Sequence, residues 1–265
     1  MEGDGPGPVE RDRGVPLVKP RAFFFVPLVL CGITPLQGAA SEHVPPLVHR
    51  AIARYAAEHR GELGFSRHLT FRLHAGPLIH DVSNEIGVLM RDGAFVKVRY
   101  YSATTNGKPD DAAELRRQED RANTDLGEGH GFFKRPIDPR YVADYRFEWA
   151  PCADCSAGQQ AFAFSSVVHD EQHGHGIVVI DSSGAHVERL SYALDRAPDH
   201  ASSADVVETF GEALPGLWTC LRVQETYHGH LGLISGTATL SYSLEHFHRF
   251  TDLESADAAL TERSL

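Results

Sequence analysis

The apolar positions along this chain change period once, and that change divides it into elements. In "PPLVHRAIARYAAEHRGEL", Pro45 to Leu63, the residues Leu47, Ala51, Ile52, Tyr55 and Ala56 fall on one face of a helix. The prolines suit a first turn, and Gly61 and Gly64 mark its end. After that the period drops to two. Leu69, Phe71 and Leu73 alternate with polar neighbours in "HLTFRLH", and Ile86, Val88 and Met90 do so in "NEIGVLM". Asp92-Gly93 then separates this run from "AFVKVRYY", in which Val96, Val98 and Tyr100 share a face. An Asp-Gly pair between two alternating runs predicts a hairpin, because both residues tolerate positive φ.

From Ser102 to His130 the alternation stops and the chain becomes polar and charged. This predicts a solvated insertion, with a short helix over Ala112–Arg121. "FFKRPIDPRYV" follows as an ordered loop. Beyond Tyr141 every run reads as a strand: "YRFEW", "AFAFSSVV", "GIVVID", "HVERLSYAL", "WTCLRVQETY", "LGLISG" and "ATLSYSLEHFHRF". Turn residues punctuate them at Asp181–Gly184, Leu214-Pro215-Gly216 and Ser235-Gly236. No strand–helix alternation appears after Tyr141, which argues against a doubly wound parallel sheet. The expected fold is mainly β (α+β). It has one N-terminal helix and about ten antiparallel strands, curled into a half-barrel around that helix. Such a sheet leaves an apolar concave face that suits an acyl chain.

Ahead of this domain, Lys19 and Arg21 precede the apolar "AFFFVPLVLCGITPLQGAA", and Gly38 and Ala40 fit the −3 and −1 positions of a signal-peptidase site. Residues 1–40 are therefore expected to be a signal peptide, and 41–265 a single exported domain with no transmembrane span. Retention as an anchor, or lipidation of Cys31 within "LVLC", are the alternatives. The net charge of −11 removes any electrostatic basis for binding nucleic acid or anionic headgroups.

Three cysteines follow the leader. "PCADC" lies between two strand runs, so Cys152 and Cys155 suit a structural disulfide in a hairpin loop and not a redox centre at a helix N-terminus. No Asn-x-Ser/Thr sequon follows the leader. "HDEQHGHG" gathers His169, His173 and His175 between two strands, with Gly174 and Gly176 suggesting a hairpin tip. These histidines are candidate zinc or copper ligands or else surface residues, and His228/His230 and His246/His248 repeat the His-x-His spacing. No nucleophile elbow or phosphate-binding loop is present.

The leader, the amphipathic helix, and "GIVVIDSSGAHVERLSY" followed by "ALPGLW" resemble the bacterial periplasmic half-barrel carriers typified by outer-membrane lipoprotein-sorting proteins. The matching positions are Asp181, Gly184, Tyr192 and Leu214-Pro215, and the order of elements matches from about Leu47 to Phe250. The resemblance implies a non-enzymatic protein of the periplasm or outer membrane that needs no cofactor. It would bind a lipid or lipoprotein acyl chain inside the half-barrel. The strand aromatics Phe71, Tyr100, Phe147, Trp149, Phe162, Phe164, Tyr192, Trp218 and Tyr242 then either fill the core or line the concavity. A histidine-based metal protein and an envelope protein–protein interaction module are the competing expectations.

Overall fold

The computed structural model describes residues 44–127, 133–198, 201–231 and 234–265. The expected leader and Cys31 lie outside them.

Eleven strands form one antiparallel sheet. They are β1 (Glu62–Ala75), β2 (Leu78–Arg91), β3 (Ala94–Thr105), β4 (Lys108–Pro109), β5 (Tyr145–Ala150), β6 (Gln159–Ser166), β7 (Gly174–Asp181), β8 (Val187–Leu194), β9 (Ala201–Leu214), β10 (Leu217–Leu231) and β11 (Ile234–Phe250). The spatial order is β4-β3-β2-β1-β11-β10-β9-β8-β7-β6-β5. Every neighbour except β1/β11 is also the next strand in sequence, so the sheet is two meanders joined where the first long strand meets the last. Glu62 opposes Phe250 and His74 opposes Thr237 along that seam. The sheet does not close on itself, because β4 and β5 are both edges. The curled, open half-barrel expected from the alternation is the architecture found.

Tight turns set the register. Asp92 and Gly93 have φ of 49° and 77°, and Asn106 and Gly107 have φ of 50° and 75°. Positive φ at both central residues is the I′ geometry that suits the right-handed twist of paired strands. The predicted turn at Ser235-Gly236 is not one. Both residues pair inside β11, opposite His230 and Gly229. Glycine stands there because a Cβ on Gly236 would lie 2.8 Å from the His74 carbonyl oxygen.

Helix α1 (Pro46–Glu58) is shorter than the pattern suggested. It stops at His59, whose buried ring bonds back to the Tyr55 carbonyl, and Gly61 turns the chain into β1 at φ 80°. Leu47, Val48, Ala51, Ile52 and Tyr55 are its buried face. They pack on the inner faces of β5 to β10, against Phe147, Phe162, Phe164, Leu190, Tyr192, Val206, Phe210 and Val223.

The polar stretch after Ser102 is built into the sheet. β3 continues to Thr105, and helix α2 (Ala112–Gly127) runs along its free edge. Asn123 accepts from the Val98 amide at 2.9 Å and donates to its carbonyl at 3.0 Å, and Glu119 accepts from the Tyr100 amide at 3.0 Å. Side chains thus occupy the backbone groups that a further strand would have used, which protects the edge. Ala122 and Leu126 add to a second core of Phe65, Ile86, Val88, Val98 and Phe247. The C-terminal helix α3 (Leu253–Glu262), absent from the pattern reading, is capped by Asp252 and lays Ala256 and Leu260 on Leu89, on the sheet's outer face.

Candidate functional site

The inner face has two halves with different contents. Over β5 to β10 it is filled by α1. Phe147, Phe162, Phe164 and Tyr192, expected as candidate lining, are buried there in one core cluster with the helix face, and Trp218 and Tyr242 pack at its margin. The helix is held at its C-terminal end by polar contacts. Arg54 donates to the Gly184 carbonyl at 2.7 Å, Glu58 accepts from the Trp218 amide at 2.9 Å, and the Trp218 indole donates to the Val187 carbonyl at 2.6 Å. His186 stacks on Trp218.

Beneath α1 lies a charged group that the pattern reading missed. Glu208 is 1% exposed. It accepts from Arg135 Nε at 2.6 Å and from the Tyr192 hydroxyl at 2.8 Å. Burial opposes the Arg135 charge, and the Glu208 carboxylate more than offsets this, holding the guanidinium well above its ordinary pKa. Burial pushes Tyr55 up to about 12 and drives Tyr192, Tyr242 and the Cys220 thiol upward as well. Each is held neutral, the opposite of what activates a nucleophile. A signal for Glu208 did exist in the sequence. Ala204, Val206 and Phe210 alternate inward with it, so a carboxylate stands in an apolar row.

Helix α2 covers the inner face of β1, β2 and β11 only around Phe65, Val88 and Phe247; toward Leu69–Leu73, no helix among the described residues shares a core cluster with it. Leu69 opposes Tyr242 and Asn84, Phe71 opposes Leu240 and Val82, and Leu73 opposes Ala238 and His80. Leu69, Phe71, Leu73, Val82 and Leu240 are only half-buried and belong to none of the core clusters. The opposite face of the same strands carries Thr70, Arg72, Thr239 and Ser241. The alternation therefore places an apolar, partly uncovered surface on the concave side and a solvated one outside. Tyr100 flanks this surface from β3, half-buried among the second core. Trp149 is separate, 68% exposed near the end of edge strand β5.

Comparison with solved structures finds chains similar to this one at low identity. The chain is similar to an outer-membrane lipoprotein-sorting protein domain from Vibrio parahaemolyticus, at 12% identity over 85% of this chain and 99% of that one, with a TM-score of 0.45. A DUF1329 family protein from Desulfovibrio piger matches at 9% identity over 84% and 98% of the two chains, TM-score 0.37. A LolA superfamily protein from Nitrosomonas europaea matches at 11% identity over 82% and 99%, TM-score 0.32. No protein-family model matches the sequence. No curated protein matches it either.

The histidines do not gather into one centre. His169 and His175 are exposed and bond opposite oxygens of Asp195, at 2.9 and 2.8 Å. His173 turns inward instead, to Asp170 at 2.7 Å and Asp144 at 3.3 Å. The hairpin tip ends at His173, while Gly174 and Gly176 lie within β7. A Cβ on Gly176 would lie 2.1 Å from the Ser191 carbonyl oxygen, so these glycines serve close strand approach and not a turn. His228 and His230 lie with His74 around a cleft of about 380 Å³ near the β10–β11 hairpin, while His246 bonds Ser66. Among the described residues no group of three or more His, Cys, Asp or Glu is placed to hold a metal. Cys152 and Cys155 form a disulfide in the β5–β6 connection, over an outer cluster of Ala150, Ala161 and Val179. Cys220 is buried and free.

Proposed function

We propose that this protein is an exported, non-enzymatic carrier that holds an acyl chain of a lipid or lipoprotein on the concave face of its half-barrel. One observation carries the reading. The inner face of β1, β2 and β11 is apolar and half-exposed at Leu69, Phe71, Leu73, Val82 and Leu240, while the outer face of the same strands is polar. A soluble domain gains nothing from leaving that stripe on its concave side uncovered, and burial there stabilises a bound chain by about 0.8 kcal/mol per methylene.

Phe71, Tyr100, Trp218 and Tyr242 would line the occupied groove. Helix α1, tethered only at its C-terminal end among the contacts above, would act as a plug whose displacement adds Phe147, Phe162, Phe164 and Tyr192 to it. Residues 1–40 would be the cleaved leader, and 41–265 the working domain in the periplasm or at the outer membrane. The Cys152–Cys155 disulfide supports an oxidising compartment, and among the described residues no helix is long and apolar enough to cross a membrane.

Native mass spectrometry of the mature chain, purified without detergent, tests this. A lipid adduct that solvent extraction removes, and that Phe71→Asp abolishes in a folded protein, is expected. A bare polypeptide mass that stays bare after incubation with lipid would overturn the reading and favour a protein-binding module.

A further inference from the structure

One charged residue interrupts the apolar inner row of β1. Phe65, Arg67, Leu69, Phe71 and Leu73 share that face, and Arg67 opposes Ile86 on β2 and Leu244 on β11. Its guanidinium lies 5.4 Å from the centre of the Tyr242 ring. Its Nε is buried without a hydrogen-bond partner, and among the described residues no carboxylate comes within ion-pair distance of it. Asn84, opposite Leu69, likewise keeps a buried Oδ1 without a donor. Buried polar groups in folded proteins are normally satisfied, so two unsatisfied neighbours on one concave face mark a place where polar company is missing.

Three carboxylates around Arg67 are engaged elsewhere, while Asp125, which acts with Arg67 on Tyr100, keeps a buried Oδ2 without a partner but lies beyond ion-pair distance of Arg67. Glu225 faces the same space but accepts from the Tyr227 hydroxyl, and burial first, then the like charge of Glu208, raises its pKa. Glu119 accepts from the Tyr100 amide. Glu208 is taken by Arg135 and Tyr192. Arg67 therefore presents its guanidinium donors to the groove, and among the described residues its Nε has no protein acceptor. A guanidinium fork matches the two oxygens of a carboxylate. From Arg67 the apolar row runs on through Leu69 and Phe71 to Leu73, roughly 20 Å at about 3.4 Å per residue, long enough for an extended acyl chain.

We infer that the groove takes a single-chain amphiphile with a free carboxylate, its head on Arg67 and its chain along Leu69, Phe71 and Leu73. This rests on the carrier reading above and narrows it to the fatty-acid class.

Titration calorimetry of the mature chain with palmitate and with its methyl ester tests it. Wild type is expected to bind palmitate at least about tenfold more tightly than the ester, the worth of one charge-assisted hydrogen bond. Arg67→Met should bring palmitate down to the ester's affinity and leave the ester unchanged, and Arg67→Lys should fall between. Equal affinity of wild type for both ligands overturns the head-group assignment while leaving the carrier reading intact. So does a parallel loss of both in Arg67→Met. If wild type binds neither, both fail. The wild-type ratio and the Arg67→Lys variant decide the matter even if Arg67→Met does not fold.

Discussion

Replacing Arg135 with Met is the sharpest test of the buried core. The guanidinium satisfies Glu208, whose side chain is 2% exposed, across 2.6 Å. Removing it strands a carboxylate under α1, where the Tyr192 hydroxyl remains as a donor but no positive charge does. Breaking a buried pair from one side costs about 3–5 kcal/mol. A domain of this size loses about 2–4 °C per kcal/mol, so the midpoint should drop by roughly 6–20 °C. Adding Glu208→Leu removes the stranded charge and should recover most of the loss. About 1–2 kcal/mol should remain, because Tyr192 then lacks an acceptor, and Tyr192→Phe should recover that too. Thermal unfolding of the single, double and triple variants, followed by near-ultraviolet circular dichroism, measures each step. A loss below about 1 kcal/mol in Arg135→Met would refute the claim that the pair is desolvated, and so would a double variant less stable than the single one.

Three further outcomes follow from the same geometry. His59 is buried, with its pKa lowered to about 4 by burial, so folding favours its neutral form. That stability is complete above the unfolded value of 6.5, and about 3 kcal/mol of it should be lost as pH falls from 6.5 to about 4, a slope that His59→Asn should flatten in urea titrations. Asn123→Ala should uncover the β3 edge and cost about 1–3 kcal/mol through unpaired backbone groups, with faster hydrogen exchange at Val98 as the local readout. Cys220 should resist iodoacetamide until global unfolding, because burial raises its pKa and seals it under α1; labelling at native-state rates would contradict the packing described.

The division between what was legible in the sequence and what was not follows the range of the forces involved. Period-two alternation from Leu69 to Leu73, the Asp92-Gly93 turn and the apolar face of α1 are local, and each was readable because backbone geometry converts spacing directly into facing. The C-terminal helix was not readable. "LESADAALTE" has a weak apolar stripe, and its place is decided by Leu89 and the close approach of Leu260 to Gly87 on a strand far back in the chain. Glycines misled in both directions. Gly93 makes a turn, while Gly176 and Gly236 sit in strands because a neighbouring backbone comes too close for a Cβ. The polar run after Ser102 looked like a solvated excursion because edge protection by Asn123 and Glu119 uses the same residues as a loop would.

By itself, then, the sequence determined the class of the fold, the existence of an apolar concave face and the pairing-competent cysteines, since composition and short-range spacing suffice for all three. Only the tertiary structure decided how that face is shared. The pairing of β1 with β11 sets which strands lie beyond the reach of α1. It decided that four of the nine strand aromatics are covered by the helix and that the "HDEQHGHG" histidines part company around Asp195 and Asp170. It also turned Arg67 and Glu208, two charges in otherwise apolar rows, to opposite fates. Glu208 meets Arg135 and Tyr192 across the core, and the Arg67 Nε meets no acceptor among the described residues, because long-range pairing, not local pattern, chooses what stands opposite a buried charge.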